Sequence, residues 1–259
     1  MTFEQHDLSS DGFLDGRLNF LQPKQGYRSA MDAVFLAAAV PAVAGNRVLE
    51  LGCGAGVALG CLCARVDGLV AFGVELQPAY AELASQNFAH NNLSAQIFSG
   101  DLSQLPKPIK SQNFDHVLAN PPYFAQNAHT PPDDAGKSTA HISAVTTIDI
   151  WVSTALRRLH QGGVLTMINR VEALPQILAA LNGKAGDISV LPISARQNRP
   201  PRRIIVQAKK SARGPLCLLS ALIVHSGADH GAADDGFTSR VSNILRHGGS
   251  LKISNNLPN

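Results

Sequence analysis

Four consecutive residues, Asn120-Pro121-Pro122-Tyr123, follow the apolar run FDHVLA, and their types suit one kind of chemistry. An exocyclic amine conjugated to a ring or a carbonyl is a poor nucleophile, because its lone pair is delocalised, and it is not usefully deprotonated at neutral pH. A site can help by accepting both N–H hydrogens, here with the Asn120 side-chain oxygen and the Pro121 carbonyl. The nitrogen then becomes pyramidal and turns its lone pair toward an electrophile such as a methyl sulfonium. Pro121 and Pro122 stiffen the backbone that carries the carbonyl, and Tyr123 offers a flat face for stacking a base or an amide. Transfer then depends mainly on positioning. Taken alone, Asn-Pro-Pro is as easily a turn that ends a strand, so its relation to a second motif decides.

That motif is Val48-Leu49-Glu50-Leu51-Gly52-Cys53-Gly54-Ala55-Gly56, an apolar strand running into a glycine-rich turn and then a helix, about seventy residues upstream. Glycines 52, 54 and 56 let the backbone approach a bound molecule at the carboxyl edge of a sheet. The spacing is GxGxG; the dinucleotide fingerprint GxGxxG fails because Val57 follows Gly56, which argues against a pyrophosphate-binding dehydrogenase. The next strand ends at Glu75, whose carboxylate can accept both hydroxyls of a ribose. A third strand end carries Asp101, placed to accept a hydrogen bond from an adenine amino group, although alone it would serve equally as a helix cap. The set carries the inference.

Positioning these groups requires alternating strands and helices. Short apolar runs predict strands over Arg47 to Leu51, Leu69 to Glu75, Ala95 to Phe98, His116 to Ala119 and Val164 to Ile168. Helical spacing predicts helices over Ser29 to Val40, Gly56 to Arg65, Pro78 to Asn91 and Thr147 to His160. The alternation implies an α/β fold with a mainly parallel sheet and helices on both faces. Beyond residue 185, strand-like runs over Ile188 to Pro192, Arg203 to Gln207 and Leu216 to Val224 read as antiparallel additions at the sheet edge. The expected division is an N-terminal arm over 1–29, a catalytic domain over 30–226 with a mobile loop over 124–141, and a tail over 227–259 with a short helix near Val241 to Arg246.

The 259 residues suffice for one domain, and 45% hydrophobic against 16% charged residues fits a globular chain. The opening MTFEQHDLSSDGFLDG lacks the basic start and apolar stretch of a secretory signal. The apolar run Ala33 to Ala44 is short and broken by Pro41. A cytoplasmic location without membrane contact is expected. Cys53, Cys61, Cys63 and Cys217 form no CxxC pair and lie at no zinc-like spacing, so reduced thiols and no metal are expected. The net charge is +3, but Arg196, Arg199, Arg202, Arg203, Lys209, Lys210 and Arg213 fall within eighteen positions, a cluster suited to phosphate.

With these motifs the chain resembles class I methyltransferases that use S-adenosylmethionine (SAM), of the Asn-Pro-Pro-Tyr type. Within that group it resembles the bacterial tRNA(Val) adenine-N6 methyltransferase family. The carrying segments are GYRSAMDAVFLAA, LELGCGAG, GVELQP, GDL, NPPYF and RRLHQGGVL. The resemblance implies a Rossmann-like, seven-stranded sheet, SAM as cofactor with S-adenosylhomocysteine as product, and tRNA as substrate with no obligate protein partner. It implies cofactor contacts from Tyr27, Arg28, Asp32, Glu50, Gly52, Cys53, Gly54, Gly56, Glu75, Leu76, Asp101, Leu102 and Asn120. Arg199, Arg202, Arg203, Lys209 and Lys210 would meet RNA. Similar proteins methylate DNA adenine, rRNA guanine N2 or a protein glutamine amide, so the motifs specify the chemistry more closely than the acceptor.

Overall fold

The computed structural model describes residues 2–122, 147–227 and 236–253. Its central sheet is built on four parallel strands, β3 (Arg47–Leu51), β4 (Val70–Glu75), β5 (Gln96–Ser99) and β6 (Phe114–Ala119). Three of them, β3, β4 and β6, are buried along most of their length, as continuous apolar runs require when helices cover both faces. β7 (Leu159–Arg170) extends the parallel set beside β6; β9 (Arg203–Lys210) then runs antiparallel between β7 and β8 (Ala185–Ser194).

The strand order is β5-β4-β3-β6-β7-β9-β8, the seven expected strands. Two additions of two residues each, β10 (Cys217–Leu218) and β11 (Leu222–Ile223), bring the sheet to nine. Both run parallel to β8, which corrects the antiparallel reading of Leu216 to Val224. The reason is directional. The chain descends along β9, turns, and climbs again beside β8 rather than beside β9.

One face of the sheet is covered by α1 (Met31–Ala39), α2 (Val57–Arg65) and α7 (Ser239–His247). The other is covered by α4 (Lys107–Lys110), α5 (Ile148–Arg158) and α6 (Leu174–Leu181). Helix α1 is buried from Ala33 through Ala39, because it lies against the sheet, α2 and α7 at once. No helix among the described residues is long and apolar enough to cross a membrane.

The N-terminal arm holds an element that no apolar run in the sequence marks. Strands β1 (Leu8–Phe13) and β2 (Leu18–Pro23) form an antiparallel hairpin. It is fastened to α3 (Pro78–His90) by side-chain amides. Asn87 accepts from the Leu21 N–H at 2.8 Å and donates to the Leu21 carbonyl at 2.9 Å. Just past the helix, Asn91 repeats the pattern with Asn19, accepting at 2.8 Å and donating at 2.9 Å. Two asparagines one helical turn apart thus replace a neighbouring strand.

A candidate active site at the carboxyl edge of the sheet

Strands β3, β4, β5 and β6 end on one edge; the chain steps outward from β3 through β4 to β5 and then crosses back to β6 on the other side of β3. Ligand crevices form at such a switch point. The turn after β3 holds Gly52, Gly54 and Gly56 at φ of +65°, +53° and +85°. At Gly52 a side chain is excluded twice, since a Cβ there would sit 2.4 Å from the Trp151 ring and the left-handed backbone strains any L-residue. Trp151 is buried on α5 beneath the turn; sequence spacing gave no sign of this contact.

Glu75 is 8% exposed at the end of β4. One of its oxygens accepts from the Gly54 N–H and the other from the Gln77 N–H, each at 2.9 Å. Burial raises its pKa, while the amide donors of Gln77, Gly54 and Leu76 pull it back down. Glu50 is buried under the same turn and accepts from the Leu59 N–H at 2.9 Å, capping the first turn of α2. Burial pushes its carboxyl well up, opposed by the Leu59 amide and reinforced by Glu75. Cys53 is buried as well, and burial, then Glu50 and Glu75, raise its thiol well above the ordinary range. Leu76 is exposed beyond Glu75, whereas Leu102 is buried. Asp101 is exposed and closes a local turn through one oxygen, which accepts from the Ser103 N–H at 2.7 Å and hydroxyl at 2.8 Å.

The Asn-Pro-Pro turn meets this site through the N-terminal segment. Asn120 Nδ2 donates to the Tyr27 hydroxyl at 3.2 Å, across 93 positions of sequence. The Tyr27 ring lies over Gly54, 3.5 Å from where a Cβ would stand, and its carbonyl accepts from the Tyr80 hydroxyl at 3.0 Å. Tyr27 is half exposed overall, but desolvation at its hydroxyl raises the phenol, Ser29 lowers it by a hydrogen bond, and the charges of Glu50, Asp32 and Glu75 raise it further; it stays protonated at neutral pH. With its NH2 engaged by Tyr27, the Asn120 amide has its oxygen directed elsewhere. Pro121 is buried and Pro122 exposed. Tyr123 and the 124–141 segment lie outside the described residues.

Arg28 and Asp32 are tied to other protein groups. The Arg28 guanidinium grips both oxygens of Asp11 at 2.8 and 2.7 Å and donates to Ser9 Oγ and the Pro23 carbonyl, clamping the hairpin. Buried Gln22 accepts from the Ser29 N–H at 2.7 Å and donates to Asp11, fixing the chain that leads into Tyr27. Asp32 pairs with Arg203 at 2.8 Å across 171 positions.

The basic cluster divides along β9. Arg203 stands opposite Arg170 at the edge that carries the glycine turn, with exposed Arg199 and Arg202 in the approach to it. Lys209 and Lys210 end the same strand, on the order of 23 Å away, and consecutive strand residues face opposite sides of a sheet. Proximity in sequence therefore did not amount to one patch.

Residues 28–190 match the family model described as the methyltransferase small domain. The chain is similar to the tRNA1(Val) (adenine(37)-N6)-methyltransferase of Yersinia enterocolitica, 30% identical over 164 residues that cover 62% of this chain and 64% of that protein. It is 28% identical to the protein of the same name from Yersinia pestis over 218 residues, 81% of this chain and 85% of that one. A crystal structure of a predicted O-methyltransferase from Agrobacterium tumefaciens superposes with a TM-score of 0.68 at 24% identity, covering 87% of this chain and all of that one. A Thermus thermophilus 16S rRNA N2 G1207 methyltransferase in complex with AdoMet and guanosine gives 0.52 at 21% identity, covering 78% of this chain and 50% of the other.

Proposed function

This chain belongs to the methyltransferase small domain family, and on that premise we propose that it methylates the N6 amine of an adenine in tRNA, at a site formed by the glycine turn and the Asn-Pro-Pro turn. The family and the class I fold make it a SAM-dependent methyltransferase. Bound SAM supplies an electrophilic methyl group.

The residues at the edge fit that cofactor. Each Glu75 oxygen spends one lone pair on a backbone amide and keeps capacity for a ribose hydroxyl. Glu75, held by the Gly54 and Gln77 amides, favours a cation such as a sulfonium over an anion. Leu76, exposed beside Glu75, offers an apolar face to a purine.

The observation that carries the reading is the bond from Asn120 Nδ2 to Tyr27, with the Tyr27 ring against Gly54. It brings the Asn-Pro-Pro turn and the glycine turn to the same side chain. The Asn120 oxygen and the Pro121 carbonyl take the two amine hydrogens, holding the nitrogen pyramidal and orienting its lone pair. No shifted general base is required. Adenine in tRNA is favoured by the names of the relatives and by the basic edge around Arg199 and Arg202.

The test is transfer of labelled methyl from SAM to total tRNA from a strain lacking this protein, followed by nucleoside analysis. Label in N6-methyladenosine is expected. Label confined to DNA, to guanine N2 of rRNA or to protein glutamine would keep the chemistry and overturn the acceptor.

A further inference from the structure

On the sheet edge opposite the candidate active site, the C-terminal part of α5, the residues after α6 and the turn after β9 enclose an open groove of about 700 Å3, within the size range of ligand clefts. Its lining includes Arg157, Lys184, Lys210 and Arg213, together with Ser153 and Ser211, and no carboxylate among the described residues; the nearby Asp187 carboxylate packs against Gly214, next to Arg213. Arg157 and Lys184 are far in sequence from the cluster around Arg203; only the fold gathers them.

The three cations whose partners are defined are held by neutral acceptors. Lys184 Nζ donates to the Ala180 carbonyl at 3.1 Å, Lys210 Nζ to the Leu159 carbonyl at 2.6 Å, and Arg157 Nη2 to Thr154 Oγ1 at 2.8 Å. These bonds fix the side chains without cancelling charge, and each ammonium keeps two further N–H donors. No salt bridge to any of the four forms among the described residues. Four like charges around one concavity repel each other, and an anion that spans them relieves the repulsion.

We propose that this groove binds the phosphodiester backbone of the RNA substrate, at a point remote from the methylated base. The inference rests on the reading of RNA as the acceptor and extends it. One end of β9 lies at the catalytic edge and the other at the groove, on the order of 23 Å apart, a span that a folded RNA bridges and a mononucleotide does not. Contact here is to phosphate, so it sets affinity and register without reading sequence.

The test uses the full chain with Arg157→Glu and Arg213→Glu together, and in parallel the milder pair Arg157→Gln and Arg213→Gln. Binding of total tRNA is measured across a salt series, with SAM affinity and thermal melting as controls for folding. The charge-reversed protein is expected to bind tRNA at least tenfold more weakly near 0.1 M salt. Its slope of log K against log salt should be shallower by about two, one per lost phosphate contact, and the Gln pair should show a smaller change of the same sign. Methyl transfer at saturating tRNA should be retained, with the loss appearing in KM. Unchanged tRNA affinity and salt slope in both pairs would overturn the groove while leaving the acceptor reading intact. Wild-type protein that labels no RNA would overturn the acceptor reading, and the groove with it.

Discussion

At the scale of single residues, the site divides into groups that touch the reacting atoms and groups that aim them. Asn120 belongs to the first set under the proposed mechanism. Replacing it by Ala should lower turnover on the order of a hundredfold while SAM binding, read by calorimetry, stays near wild type. Tyr27 belongs to the second, since its hydroxyl holds the Asn120 amide. Tyr27→Phe removes one hydrogen bond, worth roughly 1 kcal/mol, so kcat should fall about five- to tenfold with a smaller change in SAM affinity. A kcat equal to wild type would show that Asn120 is oriented without it. Glu75→Gln should weaken SAM binding by roughly 1.5 to 3 kcal/mol, and an unaltered dissociation constant removes Glu75 from the cofactor site. Glu75 and Asn120 are legible as candidates because each stands at a strand end next to a recognisable turn. Tyr27 against Asn120 and Trp151 under Gly52 join residues about a hundred positions apart, which no local pattern records.

At the scale of elements, β6 carries a pH response separate from the chemistry. His116 is 7% exposed, and burial is the main cause that pushes its pKa down to about 4. Asp115 raises it, whereas His160 and Arg65 lower it. Its Nε2 meets Asn46 Oδ1 at 3.1 Å. As pH falls from the ordinary value of 6.5 toward 4, the unfolded chain takes up a proton that the folded chain refuses. Stability should therefore drop across that window by about 3 kcal/mol from this residue. His116→Gln should flatten the drop in urea melts at pH 7 and pH 4.5; an equal loss in both proteins assigns the sensitivity elsewhere. His160 acts in the opposite sense, because its backbone and Asp115 bonds raise its pKa and its contribution is lost as pH rises. The parallel strands were readable as apolar runs bounded by turns. The hairpin was not, because its first strand is Leu-Ser-Ser-Asp-Gly-Phe and its docking partners are amides 66 and 72 positions away. An asparagine on the buried side of α3, between Leu83, Ala84 and Phe88, was the available clue.

At the scale of the whole molecule, the chain brings its N-terminal hairpin, its glycine turn and its last sheet strands to one edge. The Asp32–Arg203 pair joins α1 to β9, and Arg28 joins the hairpin to the segment that carries Tyr27. Asn87 does more than fasten the hairpin, since its Nδ2 also donates to the Ala55 carbonyl at 3.0 Å. Addition of SAM should slow hydrogen exchange at the Leu21 amide, 66 positions from Asn87, along with the glycine turn; protection confined to the turn would show that the two move independently. One buried carboxamide thus serves as a clasp for two segments, so that freeing the hairpin and slackening the turn become the same event. The cofactor affinity measured in solution is then the intrinsic affinity multiplied by the fraction of molecules whose clasp is shut.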